Sequence, residues 1–377
     1  MPTLGAVARE WGRIGVVGFG GPPAHIALLR ELVVERRRWL PAGQFEDGLA
    51  AVNLLPGPAS TQLAIFTAWR TRGVAGAIVG GLCFIVPGLV LILALAALFL
   101  GNPPAWVRGL GAGAGAAVAA VAVHAGLSLL LPAWSRIAHD ARWRFIAYAL
   151  LGGAAAATLG PWLVAVLAAC GLVELGWRRF PRGALSAAPL PALLLAVSGG
   201  TLASLSWVAF KVGALSYGGG FVIIPLMQAD AVERYGWMTD TEFLNAVALG
   251  QVTPGPVVHT VAVVGYAAAG VPGALLASFV AFAPSFAFVL VGAERFDRFV
   301  ANRDVRAFFD GAGPAAIGAI LGSAIPLTLA LQEGWQYGVL ALAAAVLFVA
   351  RRGVVLTLLL AGVVGAAAVL LGAPVAS

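Results

Sequence analysis

The chain has 377 residues, 61% of them hydrophobic and only 10% charged, with a mean hydropathy of +0.95 and a formal net charge of +7. Soluble domains carry roughly a quarter charged residues, so a single soluble core cannot hide this much apolar surface. The composition excludes a soluble globular protein and predicts an all-α polytopic membrane protein.

At the N-terminus, Arg9, Glu10 and Arg13 precede a glycine-rich apolar run that lacks the compact core and cleavage site of a signal peptide. The first membrane element is predicted near 11–34 and is interrupted by "GFGGPPAHI" at 18–26. A second follows near 45–69, interrupted by "LLPGPAST" at 54–61. The uncharged stretch from Val74 to Gly101 exceeds the ~20 residues a spanning helix needs. Further elements are predicted near 106–131, 145–159 and 161–176, and the polar stretch "RRFPRGALSAAP" spans 178–189. A second series then begins near 207–228, broken by "SYGGGFVIIP" at 216–225, and continues near 242–268, broken by Pro254-Gly255-Pro256. The remaining elements fall near 272–292, 305–331, 335–349 and 353–374.

The two series are copies. A shift of 198 residues aligns Arg13 with Lys211, "FGG" at 19–21 with "YGG" at 217–219, Trp39 with Trp237, Asn53 with Gln251, and Pro56-Gly57-Pro58 with Pro254-Gly255-Pro256. The predicted units are 1–182 and 190–377, each of about six membrane elements. Arginine distribution sets their relative orientation. After the first element, copy one has Arg30, Arg36, Arg37 and Arg38, while copy two has Arg234 among Asp230, Glu233, Asp240 and Glu242. After the third, copy one has Arg108 alone, and copy two has Arg295, Arg298, Arg303 and Arg306. After the fourth, the bias reverts to copy one with Arg136, Arg142 and Arg144. The positive-inside rule then predicts inverted-topology repeats. The alternation requires the second element to be a re-entrant hairpin with Pro-Gly-Pro at its tip.

The broken helices point to an anion. A helix start carries unpaired N–H groups and about half a positive charge, and proline is favoured at the first helical position. Pro58 and Pro256 are expected to start half-helices whose free N–H groups come from Ala59, Ser60 and Thr61, and from Val257, Val258 and His259. Irregular backbone at mid-membrane is tolerated only where it is buried in protein or lines a cavity, and helix ends brought together there make an anion site. The candidate binding residues of copy one are Arg13, Gly20, Gly21, His25, Asn53, Pro56, Gly57, Pro58, Ser60 and Thr61. Those of copy two are Lys211, Tyr217, Gly218, Gly219, Gln251, Pro254, Gly255, Pro256 and His259. Lys211 is the only lysine in the chain and the repeat partner of Arg13. Charged groups in apolar spans are costly and usually functional, although Arg13 can also snorkel from an element's end.

Other features have plainer readings. Cys83 and Cys170 sit in separate apolar runs without a CxxC, as small packing residues. His124 has no repeat partner and reads as structural. "GAGAGAA" at 111–117 and "GAGPAAIGA" at 311–319 read as close helix packing by small residues. No metal or cofactor motif is present, and no HExxH, P-loop or nucleophile arrangement supports a membrane-embedded enzyme.

With these residues in hand, the chain resembles the chromate transporter family in its two-domain form. The motifs are "FGGPPAHI" at 19–26, "LPGPASTQLA" at 55–64, "FKVGALSYGGG" at 210–220 and "GWMTDTEFLNAVALGQVTPGP" at 236–256. Arg70, Arg72 and Asn53 depart from the family pattern. The resemblance implies export of chromate by a secondary, multi-pass transporter of the bacterial inner membrane, with no cofactor and no nucleic-acid partner. Its partners are then the oxyanion and the lipid bilayer, and a homodimer is left open. Sulfate or another oxyanion moved by exchange, or channel conduction, are the alternatives.

Overall fold

A computed structural model describes residues 2–54, 57–101, 103–159, 162–179, 200–216, 223–292 and 302–375. Every regular element among them is helical. Helix α1 (Leu4–Val17) starts seven residues earlier than the apolar run suggests, because the Thr3 hydroxyl caps it by accepting from the Ala6 N–H. The chain breaks at Gly20 and Gly21, whose φ values of +101° and +74° suit only glycine. It restarts at α2 (Pro22–Arg30), with proline in the first turn, and runs into a π turn, Glu31–Arg36. Helix α3 (Ala42–Leu54) leads to the Pro-Gly-Pro loop, and α4 (Ala59–Phe99) leaves it. Helices α5 (Ala105–Ala116), α6 (Val118–Arg136), α7 (Arg142–Thr158) and α8 (Leu163–Arg179) complete copy one.

Copy two repeats the plan. It comprises α9 (Thr201–Leu215), α10 (Ile223–Gln228) with a π turn at Ala229–Arg234, and α11 (Asp240–Val252), which begins with a Thr239/Glu242 capping box. A 3-10 turn (Val257–His259) opens α12 (Thr260–Gly292). Helices α13 (Arg303–Leu329), α14 (Gly334–Ala344) and α15 (Val354–Leu370) follow. Among the described residues, four runs are long and apolar enough to cross a membrane: Ala59–Phe99, Ala105–Arg136, Val257–Gly292 and Arg303–Leu329.

Two of these four runs are folded back on themselves. In α4, Arg72 and Gly73 leave helical geometry, Gly73 with φ +63°. Ala68 then meets Gly76 and Gly80, and Ile65 meets Gly81, so a short arm (59–71) lies antiparallel to a long arm (74–99). The same turn falls at Ala269–Gly270 in α12, where Gly265 meets Gly273. Helix α3 in turn packs back on the short arm, Gly48 against the Phe66 ring, and in copy two Gly250 meets Thr260. These contacts are centred on Gly57 and Gly255, so each of these glycines marks the tip of a helical hairpin. That hairpin returns Arg70 and Arg72 to the end occupied by Arg36, Arg37 and Arg38.

Ion pairs establish the inversion of the copies. At the end of α8, Arg178 pairs with Asp310 at 2.8 Å and Arg179 with Asp304, both in the first turns of α13. Glu174 of α8 also binds Arg144 at the start of α7, at 2.9 Å. The fifth element of copy one and the fourth of copy two therefore start at the same end of the bundle. In parallel copies they would start at opposite ends, because the fourth element runs the length between them. The shared end is the arginine-rich one.

The copies interlock rather than sit side by side. Gly109 and Gly113 of α5 pack on Gly365 of α15. In the equivalent contact, Gly311, Gly318 and Gly322 of α13 pack on the backbones of Cys170, Ala149 and Gly153 in α8 and α7. The two glycine-rich runs thus permit close helix approach. Trp11, Phe84, Phe243, Val258 and Phe282, from both copies, share one apolar core. Most of the proposed joint at 178–189 lies outside the described residues. Cys83 and Cys170 are free thiols, and His124 packs on Phe348 with ring centroids 5.8 Å apart. Glu10, which reads in sequence as a terminal charge, is buried and held by Arg36 and Arg37.

Candidate functional site

The two Pro-Gly-Pro loops differ in one respect from the sequence expectation. Pro58 and Pro256 are the residues just before their helices rather than the first helical residues. From that position the Pro58 carbonyl accepts from the N–H groups of Thr61 (2.9 Å) and Gln62 (3.0 Å), and the Pro256 carbonyl accepts from the His259 N–H (2.9 Å). The amides of Thr61 and His259 are therefore spent in closing the turn. Those that stand ahead of the helical ladder are Ala59 and Ser60 in copy one, and Val257 and Val258 in copy two. Gly57 and Gly255, with φ +121° and +92°, let the backbone make the bend.

Each loop is seated in the other copy. The Gly255 N–H donates to the Gly18 carbonyl at 3.0 Å, and His25 donates to the same oxygen through Nε2 at 2.8 Å. That bond fixes the His25 tautomer and leaves Nδ1 bare. Gly21 faces Val257, the first residue of the half-helix in copy two. On the reciprocal side, a side chain at Gly57 would lie 3.4 Å from the Gly213 carbonyl, at the end of α9. Phe84 meets the His25 ring edge-on at 5.1 Å, and Phe282 meets His259 in the same way at 5.3 Å. Gly88, about midway along the long arm of α4, lies against the Pro254 carbonyl and the His259 ring. The first glycine break, the end of α9 and the two hairpin tips thus cross inside the bundle.

The polar groups at this crossing are buried. His25, Thr61, Ser216, His259 and Ser285 are each 0% exposed, and Ser60, Gln251, Thr253 and Thr260 are also buried. Thr253 and Thr260 satisfy their hydroxyls on the carbonyls of Leu249 (2.7 Å) and Val257 (2.9 Å). Among the described residues, the hydroxyls of Thr61, Ser216 and Ser285 and the Gln251 amide nitrogen have no hydrogen-bond partner, and the His259 ring faces the Ile85 backbone. Buried polar groups are nearly always bonded. Several bare donors close to two helix starts therefore form an arrangement suited to an anion.

The remaining candidates fall in three places. Lys211 is buried and paired with Asp230, with Arg234 3.9 Å from the other carboxylate oxygen. Arg13 and Asn53 are exposed, and neither is brought to the crossing. Pro56, Tyr217, Gly218 and Gly219 lie outside the described residues. Ser285, buried with an unpaired hydroxyl, is not among the residues the sequence singled out. The one signal for it was a hydroxyl standing opposite Gly88 in the repeat, directly after Pro284 in an apolar run.

The chromate transporter family profile matches residues 5–175 and 203–366. A chromate transport protein of Cupriavidus metallidurans is 31% identical over 342 residues, covering 86% of this chain and 82% of that protein. One from Pseudomonas aeruginosa is 32% identical over 341 residues, covering 85% and 80%. A probable chromate transport protein of Synechococcus elongatus is 27% identical over 341 residues, covering 86% and 84%. No solved structure matches the chain.

Proposed function

The chain belongs to the chromate transporter family, and from that premise we propose that it exports chromate from the bacterial cytoplasm across the inner membrane. It works as a secondary transporter, not an enzyme. The dianion is held where the hairpin tips cross the first glycine break and the end of α9. The observation that carries the reading is the seating of Gly57 and Gly255, at the two hairpin tips, against the other copy, beside buried donors that have no partner among the described residues.

The amides of Ala59, Ser60, Val257 and Val258 supply positive helix ends, and Thr61, Ser216, Gln251, Ser285 and His259 supply hydrogen bonds. Because each tip belongs to one copy and rests on the other, rocking one copy against the other opens the site to alternate sides. Energetics favour the outward direction: one charge crossing 100 mV is worth about 2.3 kcal/mol, so a dianion leaving a negative interior alone gains roughly twice that.

The test is uptake of labelled chromate by everted vesicles at set pH and potential, with sulfate as competitor. Accumulation above empty controls is expected. No accumulation would overturn the reading, and full suppression by equimolar sulfate would reassign the substrate to the wider class of tetrahedral oxyanions.

A further inference from the structure

The two copies share a backbone plan but not their buried charges. Among the described residues, three carboxylates are buried: Glu10, Glu174 and Asp230. Glu10 is held by Arg36 and Arg37. Glu174 is held by Arg144 (2.9 Å), Arg178 (2.9 Å) and the Tyr148 hydroxyl (3.2 Å). Both are saturated and belong to the arginine-rich end. Asp230 differs. One oxygen takes the Lys211 ammonium, while the other, Oδ1, accepts no hydrogen bond, with the Arg234 guanidinium at 3.9 Å.

The pair is also placed next to the proposed anion site. Lys211 lies about 6 Å along the axis from Leu215, the last residue of α9. Gly213, two residues on, carries the carbonyl that faces Gly57 of the opposite hairpin tip. The ammonium now points back along α9, with Nζ 6.0 Å from the Trp207 ring. Its flexible four-carbon stem can swing the charge toward the end of α9 once Asp230 lets go. In copy one the equivalent positions are Arg13, which is exposed, and Leu32, so no second pair exists there.

Among the described residues, no other buried carboxylate is free to pair with Lys211. The charged groups facing Asp230 are Lys211 from α9 and Arg234 from its own turn, while Asp240 of α11 is engaged by the Gln228 amide at 3.1 Å. Arg144 of α7, and Asp304 and Asp310 of α13, are engaged at the far cluster around Glu174. A dianion that draws Lys211 away leaves the buried carboxylate without a hydrogen-bonded cation, facing only the Arg234 guanidinium at 3.9 Å, and a buried charge so weakly compensated is driven toward its neutral form.

We infer that Asp230 is the proton-binding group of the transport cycle: it takes up one proton as the anion takes Lys211, and gives it back when Lys211 returns. In bonding terms, one O–H bond forms at Asp230 with a proton from water, and the Lys211 ammonium exchanges a carboxylate for the oxyanion. The loaded site then carries one negative charge fewer than the dianion alone. The inference rests on the proposed anion site, and the test separates the two.

The measurement is calorimetry of chromate binding to the purified full chain at mildly alkaline pH, where chromate is the dianion and unperturbed histidines are neutral. It is run in two buffers of different protonation enthalpy. About one proton taken up per anion is expected for the native chain. Binding without proton uptake overturns the inference and leaves the site standing, whereas no binding at all overturns the site. The double variant Lys211→Met with Asp230→Leu removes the pair as a unit, so that no charge is left buried alone. It is expected to remain folded, to bind chromate at least about tenfold more weakly, as loss of one charge-assisted contact implies, and to take up no proton. Native affinity, or one proton still taken up per anion, would make the pair structural and assign the proton elsewhere.

Discussion

Thr61 offers a substitution whose effects on stability and on binding should have opposite signs. Its side chain is fully buried at the start of the α4 short arm, and its hydroxyl has no partner among the described residues. An unsatisfied buried hydroxyl costs about 1–3 kcal/mol, and replacement by an apolar group of the same shape removes that cost. Thr61→Val should therefore stabilise the empty protein by up to that amount. The same hydroxyl, given to a bound anion, is worth about 1.5–3 kcal/mol, so the variant should lose roughly 10- to 150-fold in chromate affinity. Thr67, six residues on along the same arm, is the internal control, because its hydroxyl is already bonded to the Leu63 carbonyl at 2.7 Å. Thr67→Val should leave affinity unchanged. The assay is thermal unfolding of the detergent-solubilised protein alongside equilibrium chromate binding. If Thr61→Val unfolds earlier and binds as tightly as the native chain, its hydroxyl serves the fold and the site is misplaced.

Four further outcomes are expected. Ser285→Ala should repeat the Thr61 pattern from copy two, with lower chromate affinity and no loss of thermal stability. Gly213→Ala should lower the unfolding temperature, at a cost of about 1–3 kcal/mol, because its new methyl group would overlap the Ala281 backbone; Gly5→Ala, with nothing within 4 Å, should not. Glu174→Gln should reduce stability by about 3–5 kcal/mol, since it leaves Arg144 and Arg178 without their shared carboxylate, and denaturation of the purified variant reads this directly. A cysteine at Ala75, in a chain otherwise freed of cysteine, should react with impermeant reagents only from the cytoplasmic side, and labelling only from outside would refute the re-entrant hairpin.

Much of the architecture was legible because the bilayer restricts the options. Apolar runs of spanning length, glycine at bends and arginine on one side are physical requirements, and the 198-residue repeat made each visible twice. The site was less legible. The repeat made Arg13 and Lys211 look equivalent, yet one is exposed and the other buried, because only Lys211 has an Asp230 within reach. Asn53 and Gln251 diverge in the same way. Helices do start directly after Pro58 and Pro256, but turn closure by the Pro58 and Pro256 carbonyls claims the Thr61 and His259 amides, a detail of dihedral angle that residue spacing does not encode. Ser285 was hidden by its apolar neighbours.

The interlocking of the copies also bears on biosynthesis. Ribosomes deliver copy one first, and at that stage the small-residue faces of α7 and α8 have nothing to receive them. Their complement, residues 311–322 of α13, emerges only after roughly another hundred and thirty residues have been made past α8. The nascent first half must then wait in the bilayer with an open seat and with its hairpin tip lacking the Gly213 carbonyl it will rest on. Maturation becomes a single late event for the whole polypeptide. A chain cut short near residue 199 is accordingly expected to be removed by membrane proteases instead of persisting as a stable half.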